Sequence, residues 1–286
     1  MRSSQPNSPP LALQGVKVVS LCLNTPGPVA AARLVGLGAE VTKVEPPGGD
    51  PLKTFAPEWY DHLRAGQKLL TLDLKDTSSR RQLDDLLKTS DLLLASFRPS
   101  AIERLGLDWP TLHRQYPQLC YVGITGYPGP RQERSGHDLT YLAETGLVSP
   151  PELPASLFVD LAGAERCVTE ALALLFHRQL TGEAGSATVA LYGCARDLAA
   201  PAEAGLTRAG GLLRGAFPLY GLYETANGWI AIAALEPRFA ERLLAGLGLA
   251  HAHREQLAHA FRQRTAVEWE NWAEERDLPI VAVKGV

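Results

Sequence analysis

Residues 16–45, VKVVSLCLNTPGPVAAARLVGLGAEVTKVE, decide the fold. The opening run at 16–21 is short and rich in valine, as a buried strand is. A turn, NTPGP, follows at 24–28. Beyond it the apolar residues recur at helical spacing, and Gly38 sits where a helix cap belongs. Residues 40–44 read as a second strand. A strand–helix–strand unit with connections this short makes its two strands parallel.

The same rhythm continues outward. LLTLDL (69–74) reads as a strand, SSRRQLDDLLKT (78–89) as a helix, DLLLAS (91–96) as a strand, 100–117 as a broken helix and LCYVGIT (119–125) as another strand. The economical arrangement is an α/β fold: an open, mostly parallel sheet with helices on both faces and ligands at the carboxyl ends of the strands. Helices are expected over 138–147 and 161–180, the latter stopped by Thr181-Gly182, and a strand over 187–192. A helix and a linker of small residues follow. The chain divides into a large α/β domain at 1–209 and a smaller α+β domain at 210–286. The second holds strands at 219–225 and 229–235, helices over 238–247, 253–263 and 266–276, and a last extended stretch. Its helices carry apolar faces (Leu243, Leu244, Leu247; Trp269, Trp272). So little chain remains there that these faces are expected to need a second chain as cover.

Bulk properties exclude several classes. The 286 residues carry a net charge of −3, with 45% hydrophobic and 21% charged residues. That is a globular balance with no basic excess for nucleic acid. No apolar run approaches a membrane span. Met1–Pro10 lacks the apolar core of a secretory leader. The cysteines Cys22, Cys120, Cys167 and Cys194 form no CxxC pair, so they read as buried thiols in a reducing, cytoplasmic setting. Gly36-Leu37-Gly38 lacks the third glycine of a dinucleotide fingerprint and lies at the wrong end of the helix. His251, His253 and His259 lie in a polar helical stretch without a completing ligand, so no metal is expected.

Five segments, in order, carry a resemblance: 26–50 (PGPVAAARLVGLGAEVTKVEPPGGD), 69–75 (LLTLDLK), 96–107 (SFRPSAIERLGL), 136–147 (GHDLTYLAETGL) and 210–239 (GGLLRGAFPLYGLYETANGWIAIAALEPRF). Together they resemble the class III CoA-transferase family, CaiB/BaiF type, nearest its α-methylacyl-CoA racemase branch. The resemblance implies a Rossmann-like large domain, an acyl-CoA thioester as substrate with no separate cofactor, and a homodimer in which ring-like chains interlock.

It also implies a site. Asp160 stands where the family has its catalytic aspartate, a nucleophile in transferases and an acid or base in racemases; its ordinary alternative is a helix N-cap. His137 lies in the racemase-like GHD stretch at a predicted helix start, where the partial positive charge favours a neutral imidazole base. Glu236 matches a glutamate that partners this histidine; its alternative is an acid ahead of Pro237 at a helix start. Lys43, Arg98 and Arg104 match positions near the CoA nucleotide, and cations suit its three phosphates; the alternatives are solvated charges. Gly136, Asp138 and Tyr141 are expected to contact substrate. Backbone N–H groups at a helix start are expected to serve the thioester oxygen.

The chain departs from the family pattern in the loop GYPGPRQERS (126–135) and in ending at Val286, short of the usual return segment. Three readings follow. One is epimerisation at the α-carbon of a 2-methylacyl-CoA by 1,1-proton transfer. Another moves CoA between carboxylic acids through an Asp160 anhydride. The third is a non-catalytic CoA-binding or partner subunit.

Overall fold

The computed structural model describes residues 11–285; Met1–Pro10, and with them the reading of the N-terminus, lie outside the described residues. The chain forms two compact units, 1–198 and 199–286.

Unit 1 is built on β1 (Lys17–Ser20), β2 (Glu40–Glu45), β3 (Lys68–Thr71), β4 (Leu92–Ala95), β5 (Cys120–Thr125) and β6 (Ser186–Ala190). They form one sheet in the order β3-β2-β1-β4-β5-β6, parallel at every pairing. Such sheets bury both faces, which is why the strands read as apolar runs. In β1, Val18 joins one core with Leu34, Leu92 and Val122, and Val19 joins the other with Leu83, Leu93 and Leu112. The intervening helices are α1 (Pro26–Gly36), α2 (Leu52–Phe55), α3 (Pro57–Arg64), α4 (Thr77–Leu87), α5 (Pro99–Arg104), α6 (Trp109–Gln115), α7 (Asp138–Glu144) and α8 (Phe158–Thr181); α9 (Leu191–Glu203) follows β6 and runs across residue 198.

Several local signals act as expected. The helix expected over 100–117 breaks between α5 and α6, where Gly106 takes φ 61°. Gly182, at φ 79°, ends α8 in the left-handed conformation glycine tolerates. Other boundaries moved. Strand β3 stops at Thr71, and β6 stops at Ala190 because α9 begins at Leu191 with no loop between. Helix α8 begins at Phe158, three residues before the expected start. Residues 52–64, given no structure by pattern, form α2 and α3.

The strand order reverses direction at β1, so the loops after β1 and β4 leave in opposite senses and open a crevice at their carboxyl ends. Two cavities lie over those ends, of about 360 Å³ and about 170 Å³. A third, of about 190 Å³, lies over the ends of β1, β2 and β3.

Unit 2 holds an antiparallel sheet, β7 (Tyr220–Thr225), β8 (Gly228–Ala233) and β9 (Ile280–Ala282), with α10 (Pro237–Leu247), α11 (Arg254–Phe261) and α12 (Ala266–Glu274). The expectation that its helices lack cover is corrected here. Leu243, Trp269 and Trp272 are buried with Phe261, Ile230 and Ile232 in a core of this unit alone, and Leu244 and Leu247 pack against it. Trp269 also donates its indole N–H to the Phe261 carbonyl at 2.7 Å. A three-stranded sheet with one helical layer suffices to bury these side chains.

Candidate functional site

Asp160 lies in the first turn of α8, whose N-cap is Leu157, so it is not the cap of its helix. The capping function comes from outside. The buried Asp138 carboxylate, on α7, accepts hydrogen bonds from the Val159 and Asp160 amides through Oδ1 at 2.7 and 2.9 Å. Asp138, expected to contact substrate, holds the start of α8 through this oxygen. These two amides are also taken, so they are not donors for a substrate oxygen. Burial, and secondarily the charge of Asp138, raise the Asp160 carboxyl to about 7; the polar Thr25 side chain beside it pulls the other way.

His137 is the N-cap of α7 and is exposed. Its backbone is fixed by Thr140, whose hydroxyl accepts from the His137 N–H at 2.9 Å and donates to the His137 carbonyl at 2.8 Å. The glycine before it is sterically required. A Cβ on Gly136 would lie 2.4 Å from the Tyr141 ring, and one on Gly126 would lie 2.4 Å from the Tyr141 hydroxyl. Tyr141 is 1% exposed. It is the packing post around which the loops from β5 and into α7 close.

The structure brings His137 and Asp160 to the same cavity, the smaller of the two over β1, β4 and β5. Tyr141, Gly136, Asn24, Ser96 and Leu191 also line it. The larger cavity shares His137 and Tyr141 and adds Arg98 and Arg134. Arg98 is exposed at the N-cap of α5 and donates to the Ser135 hydroxyl at 2.7 Å. Arg104, in the last turn of α5, is exposed and lines neither cavity. The slot over β1–β3 is mainly apolar, with Leu21, Val44, Leu72 and Phe97 in its walls and Lys75 among its lining residues.

Lys43 is not a solvated charge. It is 2% exposed and bonds Glu45 at 2.8 Å and Asp50 at 2.5 Å, with the Tyr60 ring 5.1 Å from its ammonium. A lysine this deep is held by its carboxylates, since an unpaired charge there is costly. Glu236, in unit 2, is the exposed N-cap of α10 with Pro237 directly after it and no side-chain capping bond.

Sequence reading missed the anchoring of the 126–135 loop. Arg131 stacks on Tyr127 and Tyr192, with centroid distances of 4.7 and 4.6 Å. Arg134 pairs with Glu144 at 2.7 Å. Glu133 accepts from the Ser100 amide at 2.7 Å and its hydroxyl at 3.1 Å. The unusual charges of this loop are what pin it. Thr25, Asn24 and Asp50 were missed too. Their signal was present in NTPGP and in the GGD ending of the first family-like segment, but nothing in the pattern joins two stretches 26 residues apart. Among the described residues no group of three or more metal-ligating side chains forms, and no helix is long and apolar enough to cross a membrane.

The model of CoA-transferase family III matches residues 13–286. Human α-methylacyl-CoA racemase is 32% identical over 294 residues, spanning 91% of this chain and 74% of that protein. A probable fatty acyl-CoA transferase of Mycobacterium tuberculosis is 31% identical over 321 residues, 98% of this chain and 75% of its own. The crystal structure of the hypothetical protein Rv3272 from M. tuberculosis superimposes with a TM-score of 0.84 at 29% identity, covering 97% of this chain and 86% of that one.

Proposed function

The chain belongs to CoA-transferase family III, an acyl-CoA enzyme family, and we propose that it epimerises the α-carbon of a 2-methylacyl-CoA thioester. The observation that carries this reading is the pairing of His137 and Asp160 on one cavity, with Asp160 raised to about 7. A carboxyl poised near neutral pH suits proton transfer in both directions, whereas a carboxylate nucleophile is best fully ionised. One of the two groups takes the α-proton. The C–H electron pair becomes the enolate double bond, and the carbonyl pair moves to oxygen. The other group returns a proton to the opposite face.

The nucleotide end of CoA is assigned to the neighbouring cavities. Arg98, together with Arg134, serves phosphate, and the apolar slot beside Lys75 serves the adenine. Arg104 is a further phosphate candidate on the family resemblance alone, since it lines none of these cavities. Lys43 is reassigned from phosphate contact to a buried structural ion pair. Glu236 is kept as the proposed partner of His137, on the family resemblance alone. A transferase reading, in which the Asp160 carboxylate attacks the thioester carbonyl and releases CoA thiolate, is favoured by the transferase-named relative.

A homodimer is proposed from the apolar residues that α8 leaves exposed, Leu172, Phe176 and Leu180, which fall on one face of the helix. Interlocking of its chains stays an expectation of the family resemblance. Light scattering across micromolar concentrations should give twice the chain mass, and a constant monomer mass would remove this proposal. Four buried free thiols suit a reducing, cytoplasmic location.

In D2O, the wild type should exchange the α-proton of a 2-methylacyl-CoA. His137→Gln and Asp160→Asn should each lose about 100-fold or more of that rate while still binding CoA. Exchange at the wild-type rate in either variant would remove that residue from the mechanism.

A further inference from the structure

Enolisation and attack on the carbonyl both send an electron pair onto the thioester oxygen, so either chemistry needs a hydrogen-bond donor there. The amides at the start of α8, where such donors were expected, are held by Asp138. Other groups on the cavity of His137 and Asp160 are engaged as well. The His137 amide donates to the Thr140 hydroxyl at 2.9 Å, and the Thr125 hydroxyl donates to the Tyr127 carbonyl at 3.3 Å. The Ser96 hydroxyl accepts the Leu23 amide at 3.4 Å. Asn24 differs. Its carboxamide makes no hydrogen bond among the described residues. It lines both the smaller cavity and the larger one beside it, as His137 and Tyr141 do. An α-carbon between His137 and Asp160, with the CoA arm leading into the larger cavity, puts the thioester carbonyl at the residues the two cavities share.

The backbone of Asn24 is fixed from below. Its amide donates, across 26 residues, to Oδ1 of the buried Asp50 at 2.9 Å, and the same oxygen accepts the Leu52 amide at 3.0 Å. Oδ2 of Asp50 takes Lys43 at 2.5 Å. Lys43 is in turn held by Glu45, and Glu45 accepts from the Tyr60 hydroxyl at 2.9 Å. A polar cluster this deep and this well partnered is rigid. Asn24 itself has φ 65°, one of two positive-φ non-glycine residues among those described. Asparagine, aspartate and glycine tolerate that conformation best. Of the three, only asparagine brings a side-chain N–H donor. Aspartate would set a negative charge against a developing oxyanion, and glycine would bring nothing.

We propose that Asn24 is a catalytic residue whose carboxamide N–H donates to the thioester oxygen of the bound acyl-CoA. The proposal rests on the reading that a thioester reacts between His137 and Asp160. When the α-proton leaves, its C–H pair becomes the enolate double bond and the carbonyl pair moves to oxygen, where the Asn24 N–H meets the charge. When the proton returns to either face, the charge leaves the oxygen and the same hydrogen bond weakens. The donor is neutral and its backbone is already held by Asp50, so little reorganisation accompanies the step.

The test separates the donor from the turn. Asn24→Gly adopts φ 65° freely and removes only the carboxamide. It should keep CoA affinity while α-proton exchange with a 2-methylacyl-CoA falls about 100-fold or more. Asn24→Asp keeps the size and tolerates the same φ but replaces the donor with an anion, so it should lose no less; it serves if Asn24→Gly does not fold. The contact itself is read by infrared spectroscopy of 2,2-dimethylpropanoyl-CoA labelled with 13C at the carbonyl, which binds as a thioester but has no α-proton to lose. Its carbonyl band should lie at lower wavenumber on the wild type than in free solution and move back up in both variants. Exchange at the wild-type rate in Asn24→Gly would overturn the proposal and leave Asn24 a turn residue. A bound band equal to the free one, or a shift lost in Tyr141→Phe and kept in Asn24→Gly, would overturn it too. A wild type that exchanges no α-proton, with the band still moving in Asn24→Gly, would overturn epimerisation instead and leave the donor in place.

Discussion

Asp160 shows what a single residue can exchange between stability and chemistry. Its carboxyl titrates near 7 in the fold and near 3.8 in an unfolded chain. A raised carboxyl binds its proton more tightly when folded. Its stabilising share is complete below the unfolded value and is lost as pH rises from about 4 to about 7. Asp160→Asn should therefore be more stable than the wild type at pH 8, by about 1–4 kcal/mol, and the gain should shrink progressively toward pH 4. Urea melts at pH 4, 6 and 8 check this; a gain independent of pH would show that the carboxyl is not held in its neutral form. At this scale the sequence was informative but incomplete. His137 was singled out by the GHD of the fourth family-like segment and Asp160 by its place at the end of LFVD before a helix, and the structure puts both on one cavity. The burial that tunes Asp160 was not legible, and neither were the groups that act beside it, Asp138 and Thr25, which lie 22 and 135 residues earlier in the chain.

At the scale of elements, the site depends on one helix capping another. Helix α8 has no cap of its own at Leu157, and Asp138 supplies it from α7 with two charge-assisted bonds. Asp138→Ala should cost about 2–4 kcal/mol by leaving those amides unpaired. It should also depress turnover, because the same bonds set where Asp160 stands. A melting temperature equal to wild type would show that water or a neighbour replaces the cap. The elements themselves were largely readable from periodicity: the parallel strands, the long helix and the Thr181-Gly182 stop all follow from local pattern. The misplaced boundaries share a cause. Phe158 and Val159 are helical because Asp138 holds their end of the helix, and Leu191 starts α9 directly from β6; neither tertiary contact has a local signature. Residues 52–64 were missed because α2 and α3 are too short for a period to register.

Across the whole chain, the strand order explains why one crevice collects the chemistry. Loops after β1, β4 and β5 bring Asn24, Ser96, Arg98, Gly136 and His137 together, and α8 adds Asp160. The alternation of strand and helix at 16–125 made this arrangement readable. The small unit was read less well, because its apolar helix faces were assigned to a missing partner when its own sheet covers them. The two chemistries differ in which bond the crevice breaks. A single enantiomer of a 2-methylacyl-CoA, incubated with the enzyme in D2O beside a second carboxylic acid, distinguishes the chemistries in one proton NMR experiment. Epimerisation gives deuterium at the α-carbon, decay toward a mixture of both configurations, and no thioester of the added acid. An α-proton that stays in place while CoA moves to the added acid would contradict it.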